Sequence, residues 1–280
     1  MQITIASGKG GTGKTTIATS LFLSHENIQL LDADVDEPNC SLFLSISVKE
    51  VGEAQILVPE IDYTKCTHCG ICSENCEFHS LINLPGQILV FEKICHGCGV
   101  CSYLCPEKAI SEKPRTIGKI FAGTDKELIF HYGELIVGEE LSTPVIAKLK
   151  NFIHQEKGLI IIDSPPGSAC SMVEAVINSD YVIIVAEPTP FGLSDMQIVV
   201  ETLRRIKMEF GVIINKDGIG NDELETFCTE EEIPILMKVP FDIEIAQKYS
   251  EGKTLAVSSP YWKKKFIELI KKIKGEINND

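Results

Sequence analysis

Eight of the eleven cysteines in this 280-residue chain stand in two runs, Cys66-x-x-Cys69-x-x-Cys72-x-x-x-Cys76 and Cys95-x-x-Cys98-x-x-Cys101-x-x-x-Cys105-Pro106. Cysteines at two-residue gaps close a tight loop that offers three thiolates to one iron–sulfur cube, with a fourth cysteine a turn away. Structural zinc is the rival reading, but three cysteines at two-residue gaps followed by a fourth is poor zinc spacing. The runs repeat, Cys66 falling on Cys95 and Cys76 on Cys105, which marks an internal duplication.

A second stretch suits phosphate. Gly8-Lys9-Gly10-Gly11-Thr12-Gly13-Lys14-Thr15 fits G-x-x-x-x-G-K-[ST], and it follows an apolar run, Ile3 to Ala6, and precedes a helix-like run to about Leu23. Glycines at Gly8, Gly10, Gly11 and Gly13 let successive backbone N–H groups point at a β-phosphate, and the helix start beyond Thr16 adds partial positive charge. Lys14 is expected to reach the β/γ oxygens and Thr15 to coordinate Mg²⁺. The expected ligand is therefore ATP with Mg²⁺.

Lys9 departs from a plain phosphate loop. A lysine directly after the first glycine resembles the deviant Walker A of the MinD, ParA, Mrp and nitrogenase iron-protein superfamily. That resemblance implies a homodimer, or a heterodimer with a paralogue, in which Lys9 neutralises charge on the neighbouring subunit's γ-phosphate. Asp163, ahead of Ser164-Pro165-Pro166-Gly167, resembles the Walker B aspartate that holds Mg²⁺, with Gly167 in the switch II position. Asp34 falls where the family orients the attacking water, and Asp32 and Asp36 are close enough to share or swap these roles. Asn215 matches the family's adenine-reading asparagine, and Pro240 and Phe241 lie where the family packs the base.

The cysteine runs in turn resemble a bacterial two-cluster ferredoxin, in which the fourth cysteine of each run serves the other cube. The resemblance implies two [4Fe-4S] clusters, one on Cys66, Cys69, Cys72 and Cys105, the other on Cys95, Cys98, Cys101 and Cys76. Glu77 replaces the proline that usually follows the fourth cysteine, at a position that is not a ligand. Cys40, Cys170 and Cys228 stand alone and read as buried apolar cysteines. His68 and His96 do not occupy equivalent positions in the repeat and read as surface residues.

Short apolar strands at Ile28 to Leu31, Leu159 to Ile162, Tyr181 to Ala186, Val212 to Ile214 and Ile235 to Val239 alternate with helical runs. Those runs fall near Ser171 to Asn178, Leu193 to Phe210 and Asp222 to Glu231. The alternation predicts an α/β, doubly wound, mostly parallel sheet with helices on both faces. It stops between about Pro59 and Pro114. The expected organisation is residues 1–58 and 115–280 as one P-loop ATPase domain, with 59–114 inserted as a small α+β ferredoxin-like domain. Residues 117–140 read as short strands with turns at Gly118, Gly123, Gly133 and Gly138, forming an accessory sheet edge, before a helix from Pro144 to about His154. A terminal helix from about Tyr261 carries Trp262, Phe266, Leu269, Ile270, Ile273 and Ile277 at helical spacing. Packing on the sheet is the favoured reading and a membrane-surface helix the alternative.

A net charge of −14 argues against a nucleic-acid surface. No apolar run reaches membrane-spanning length and no basic-then-apolar leader opens the chain, so a cytoplasmic protein is expected. The combined expectation is an ATP-hydrolysing dimer whose nucleotide state gates electron delivery, or cluster handover, to a redox or iron–sulfur acceptor protein. An assembly carrier is the second reading, and a MinD-like positioning ATPase with redox-sensing clusters the third. Because the cysteine segment is spliced between Asp34 and Asp163, nucleotide and clusters are expected to communicate.

Overall fold

Runs of Ile, Leu and Val too short for a helix become the central strands, because only a parallel sheet covered on both faces hides every side chain of such a run. The computed structural model describes residues 1–277. Its strands are β1 (Gln2–Ala6), β2 (Ile28–Asp32), β3 (Lys49–Ile61), β4 (Leu81–Leu84), β5 (Gln87–Val90), β6 (Ile110–Asp125), β7 (Leu128–Leu135), β8 (Leu159–Asp163), β9 (Tyr181–Ala186), β10 (Phe210–Asp217) and β11 (Ile235–Pro240). Its helices are α1 (Lys14–Ser24), α2 (Ile71–Glu74), α3 (Val100–Leu104), α4 (Ser142–Lys150), α5 (Cys170–Val176), α6 (Pro190–Arg205), α7 (Glu223–Glu230), α8 (Ile243–Ser250), α9 (Leu255–Ser258) and α10 (Pro260–Ile277).

Nine strands form one sheet in the order β11-β10-β9-β1-β8-β2-β7-β6-β3. Neighbours from β11 to β7 are parallel, whereas β7, β6 and β3 pair antiparallel. Alternate residues feed opposite cores. Ile3, Ile5, Ile161 and Ile183 meet α1 and α10 on one face, while Val182, Ile184, Val212 and Ile214 meet α5, α6 and α7 on the other. Phe266, Leu269, Ile270 and Ile273 of α10 are all buried in the first core, so the apolar stripe of the terminal helix is spent on packing. No helix among the described residues is long and apolar enough to cross a membrane.

The edge expected from short strands and glycine turns is instead a long ribbon. Gly118 and Gly123 lie inside β6 and Gly133 inside β7. A Cβ on Gly118 would stand 2.7 Å from Val145 Cγ2, and one on Gly123 would stand 2.4 Å from the Ser47 carbonyl oxygen. These glycines admit close neighbours; only Gly138, at φ +86°, serves a turn. The expected helix to His154 stops at Lys150, and the one to Phe210 stops at Arg205.

β3 and β6 pair from Lys49↔Ala122 to Ile61↔Ile110, and the cysteine segment is carried on their far ends. There β4 and β5 form a two-stranded sheet, and a small core of Leu81, Ile88 and Cys101 is closed by Ile61, Val90 and Ile110.

Candidate functional site

The loop between β1 and α1 follows from its glycines. Gly11 and Gly13 adopt φ of +77° and +98°, a region that side chains resist. Gly8 is glycine for contact, since a Cβ there would lie 2.3 Å from the Asp195 carbonyl oxygen of α6. Gly10 and Gly11 differ from it: a Cβ on either would meet no protein atom within 4 Å. They face a cavity of about 740 Å³ at the C-terminal ends of the parallel strands, the usual ligand position in such sheets.

That cavity brings together Gly10, Gly11, Gly13, Lys14, Thr15, Thr16, Asp34, Asn215, Pro240 and Phe241. Asp163 lies just beneath it: Thr15 Oγ1 donates to Asp163 Oδ2 at 2.8 Å. Asp163 Oδ1 is buried with no hydrogen-bond partner, as is Thr12 Oγ1. An orphaned carboxylate oxygen beside a threonine hydroxyl, with Lys14 also buried, is a donor set suited to Mg²⁺ below a phosphate chain. Burial raises the Asp163 carboxyl, against the opposing pull of Lys14 and Thr15. Burial also lifts Asp34 to about 6, aided by Asp163, Asp36 and Glu37 and opposed by Lys14.

Gly167 and Lys9 stand apart from the cavity wall, and Asn215 has a second role beside lining it. The Gly167 backbone, at φ +95°, donates to the Ser7 carbonyl at 2.9 Å and so ties the Pro-Pro-Gly turn to the phosphate loop. Asn215 lies within β10 and not after it, and its Nδ2 donates to the Thr12 carbonyl at 2.7 Å, buttressing the loop. Lys9 turns away from the cavity and pairs with Glu187 at 3.2 Å.

Several residues of the site carry no local sequence signal. Glu187, at the end of β9, is buried and holds both Lys9 and Lys216. Cys40 is buried in the first core as expected, and it also touches the acids of the site: its thiol donates to Asp163 Oδ2 at 3.4 Å, and its backbone N–H donates to Asp32 Oδ2 at 2.8 Å. Asp32, Cys40 and Asp163 thus crowd together, and burial drives the Asp32 carboxyl well up, reinforced by the Asp163 charge. Cys228 is buried in an apolar core, but Cys170 is exposed, contrary to expectation, because α5 begins with it at the mouth of the Pro-Pro-Gly turn.

The eight remaining cysteines divide four and four. Cys66, Cys69, Cys72 and Cys105 line one small cavity, and Cys76, Cys95, Cys98 and Cys101 line another. The repeat extends to the backbone. His68 and Gly97 are equivalent and adopt φ of +57° and +67°, and Gly70 and Gly99 adopt +83° and +73°. Ser80 N–H donates to Cys76 Sγ at 3.3 Å, and Ala109 N–H donates to Cys105 Sγ at the same distance. Burial raises the Cys76 thiol, but the Ser80 side chain and neighbouring backbone N–H groups outweigh it and leave the thiol below its ordinary range. At Cys101 burial prevails and pushes the thiol up to about 11. His96 is exposed and stacks on Phe78 at 3.6 Å.

A model of the CobQ/CobB/MinD/ParA nucleotide binding domain matches residues 3–255. An uncharacterized protein of Methanocaldococcus jannaschii is 33% identical over 98% of this chain and 96% of its own length. An iron-sulfur cluster carrier protein of Pyrococcus furiosus is 22% identical over 98% of this chain and 88% of its own. Among solved structures, the septum site-determining protein MinD of Pyrococcus horikoshii, complexed with Mg-ADP, superposes with a TM-score of 0.58 at 18% identity, covering 97% of this chain and 95% of that one. At that identity the likeness speaks for the fold, while the family match spans the phosphate loop, the Pro-Pro-Gly turn and both cysteine runs. The chain belongs to the CobQ/CobB/MinD/ParA nucleotide-binding domain family.

Proposed function

We propose that this protein is an ATP-hydrolysing iron–sulfur protein that couples its nucleotide state to electron transfer, or to cluster handover, through two [4Fe-4S] clusters on an inserted ferredoxin-like unit. The observation that carries the reading is the division of eight cysteines into two cavities of four, each drawing its fourth thiol from the other run. The matched left-handed loops and matched N–H···S bonds support it, since a duplicated cluster loop needs the same backbone twice. When bound, Mg²⁺-ATP would supply a Lewis acid and a cleavable anhydride, and the clusters a one-electron couple.

The chain's own residues supply the rest. Gly10 and Gly11 leave the cradle open for phosphates, Lys14 offsets their charge, and Asp163 orients the Thr15 hydroxyl. Asp34, on the same cavity with its carboxyl near 6, is suited to orient a water and accept its proton. Asn215 steadies the loop through Thr12, and Pro240 and Phe241 offer a wall for the base. Lys9, held by the buried Glu187 within one chain, would leave that seat to reach a second copy of this chain or a paralogue in a dimeric working form.

A cluster carrier that uses ATP to release its cargo is the second reading, favoured by the likeness to the Pyrococcus carrier protein. The test is anaerobic purification with iron and sulfide counting, beside an ATPase assay. About eight irons per chain and Mg²⁺-dependent hydrolysis lost in Lys14→Ala are expected. Zinc in place of iron, or hydrolysis that survives Lys14→Ala, overturns the reading.

A further inference from the structure

The two cysteine sets stand at different depths on the β3–β6 ribbon. The cavity of Cys76, Cys95, Cys98 and Cys101 is walled by Leu57, Pro59 and Glu112. The cavity of Cys66, Cys69, Cys72 and Cys105 is walled by Ile61 and Ile110. Pro59 pairs with Glu112 and Ile61 with Ile110, so the second set begins two residues, about 7 Å, farther from the sheet.

The nearer set is built onto the ribbon. A Cβ on Gly97 would lie 3.1 Å from the Leu57 carbonyl oxygen and 3.2 Å from Ile56 Cβ, so the Cys95–Cys98 loop lies flat on β3. Glu112 of β6 accepts from Ser102 Oγ at 2.9 Å, gripping the turn that holds Cys101. Cys95 itself is buried in the same apolar core as Ala54, Ile56 and Ile117.

That core ends at the nucleotide cavity. Ala33 and Val35, which flank Asp34, belong to it. Ala33 N–H donates to the Asp163 carbonyl at 2.8 Å, and Leu135 N–H donates to the Val35 carbonyl at 2.8 Å. Val35 Cγ1 would stand 2.8 Å from a Cβ on Gly133, so it is seated directly on β7 without slack. Close-packed interiors transmit displacement because they cannot absorb it in voids. No cysteine of the farther set belongs to this core; Cys66 and Cys72 pack against the small core of Leu81, Ile88 and Cys101, so they meet the nucleotide-side core only by way of the nearer set.

Resting on the proposed coupling of nucleotide and clusters, we propose that the Asp34 segment acts directly on the Cys76, Cys95, Cys98 and Cys101 set, through Cys95. The Cys66, Cys69, Cys72 and Cys105 set has no direct contact with the nucleotide-side core and stands one step farther along the ribbon. Val35 and Gly97 are the positioning residues of this coupling, one at each end of the shared core.

Hydrogen exchange read by mass spectrometry on the anaerobic, iron-loaded protein tests this, with Mg²⁺-ADP against Mg²⁺ and a non-hydrolysable ATP analogue. Exchange in residues 54–58, 95–101 and 112–117 is expected to change by about threefold or more between the two nucleotides, with residues 64–72 and 104–109 unchanged. Val35→Ala, which keeps the cavity residues, is expected to abolish the difference at 95–101 with nucleotide still bound. Gly97→Ala is a second route to the same loss. Equal responses in both cysteine sets, or a response confined to the farther set, overturns the inference but leaves coupling intact. No response in either set, with nucleotide and iron both bound, overturns the coupling reading itself.

Discussion

Lys9 Nζ lies 3.2 Å from Glu187 Oε2, and the same carboxylate holds Lys216. Glu187 is only 7% exposed, so two cations are tethered to one largely desolvated anion beside the phosphate loop. A lysine that serves a neighbouring subunit must leave this seat. Glu187→Gln is therefore expected to lower the protein concentration needed for the ATP-bound dimer by about fivefold, the equivalent of an ion pair of about 1 kcal/mol. Sedimentation with a non-hydrolysable ATP analogue checks this; an unchanged or weaker dimer contradicts it.

Two glycines of one loop are expected to behave in opposite ways. Gly8→Ala drives a methyl into the Asp195 carbonyl and should cost about 2 kcal/mol of stability. Gly10→Ala meets open space, so its unfolding midpoint should match wild type while nucleotide affinity falls at least about tenfold. Urea titration beside calorimetric ATP binding separates the two.

Exchange of the fourth cysteines tests the interlacing. Cys76→Ser is expected to damage the set containing Cys95, and Cys105→Ser the set containing Cys66. Each variant should keep about four of eight irons, and the surviving clusters should have different spectra. Cys76→Ser should leave the same surviving spectrum as Cys95→Ser; a match to Cys66→Ser instead would mean that each run keeps its own fourth ligand.

His131 gives a pH dependence away from the ligands. It is 4% exposed, and Gln29 Nε2 lies 3.1 Å from its Nδ1. Burial, with His154 adding repulsion, depresses it to about 4. Its neutral form therefore stabilises the fold fully above about 6.5, and this is lost as pH falls toward 4, reaching about 2 kcal/mol at pH 5. Urea unfolding at pH 7 and pH 5 should show the loss, and His131→Gln should flatten it.

How much was legible follows the distance over which each feature is encoded. The phosphate loop and the cysteine runs are contiguous, so spacing alone identified them. Glu187 joins Lys9 across 178 positions, and no local pattern marks it. Cys40 read as a bland core cysteine because nothing nearby reveals that the chain folds it onto Asp163. β3 was missed although Ala54, Ile56 and Val58 alternate inward as a half-buried strand should. The glycines of residues 117–140 misled because glycine signals a turn and a close neighbour with the same letter. Asn215 was found by likeness, but its bond to Thr12 shows support of the loop that the likeness did not contain.

The central claim is that nucleotide and clusters communicate. Its most direct test is a potentiometric titration of the reduced, iron-loaded protein followed by electron paramagnetic resonance, with Mg²⁺-ADP and with Mg²⁺-ATP, in wild type and Lys14→Ala. A shift in cluster signal or midpoint potential with ATP in wild type, absent from Lys14→Ala, is predicted. Identical spectra and potentials in every nucleotide state of the wild-type protein would contradict it.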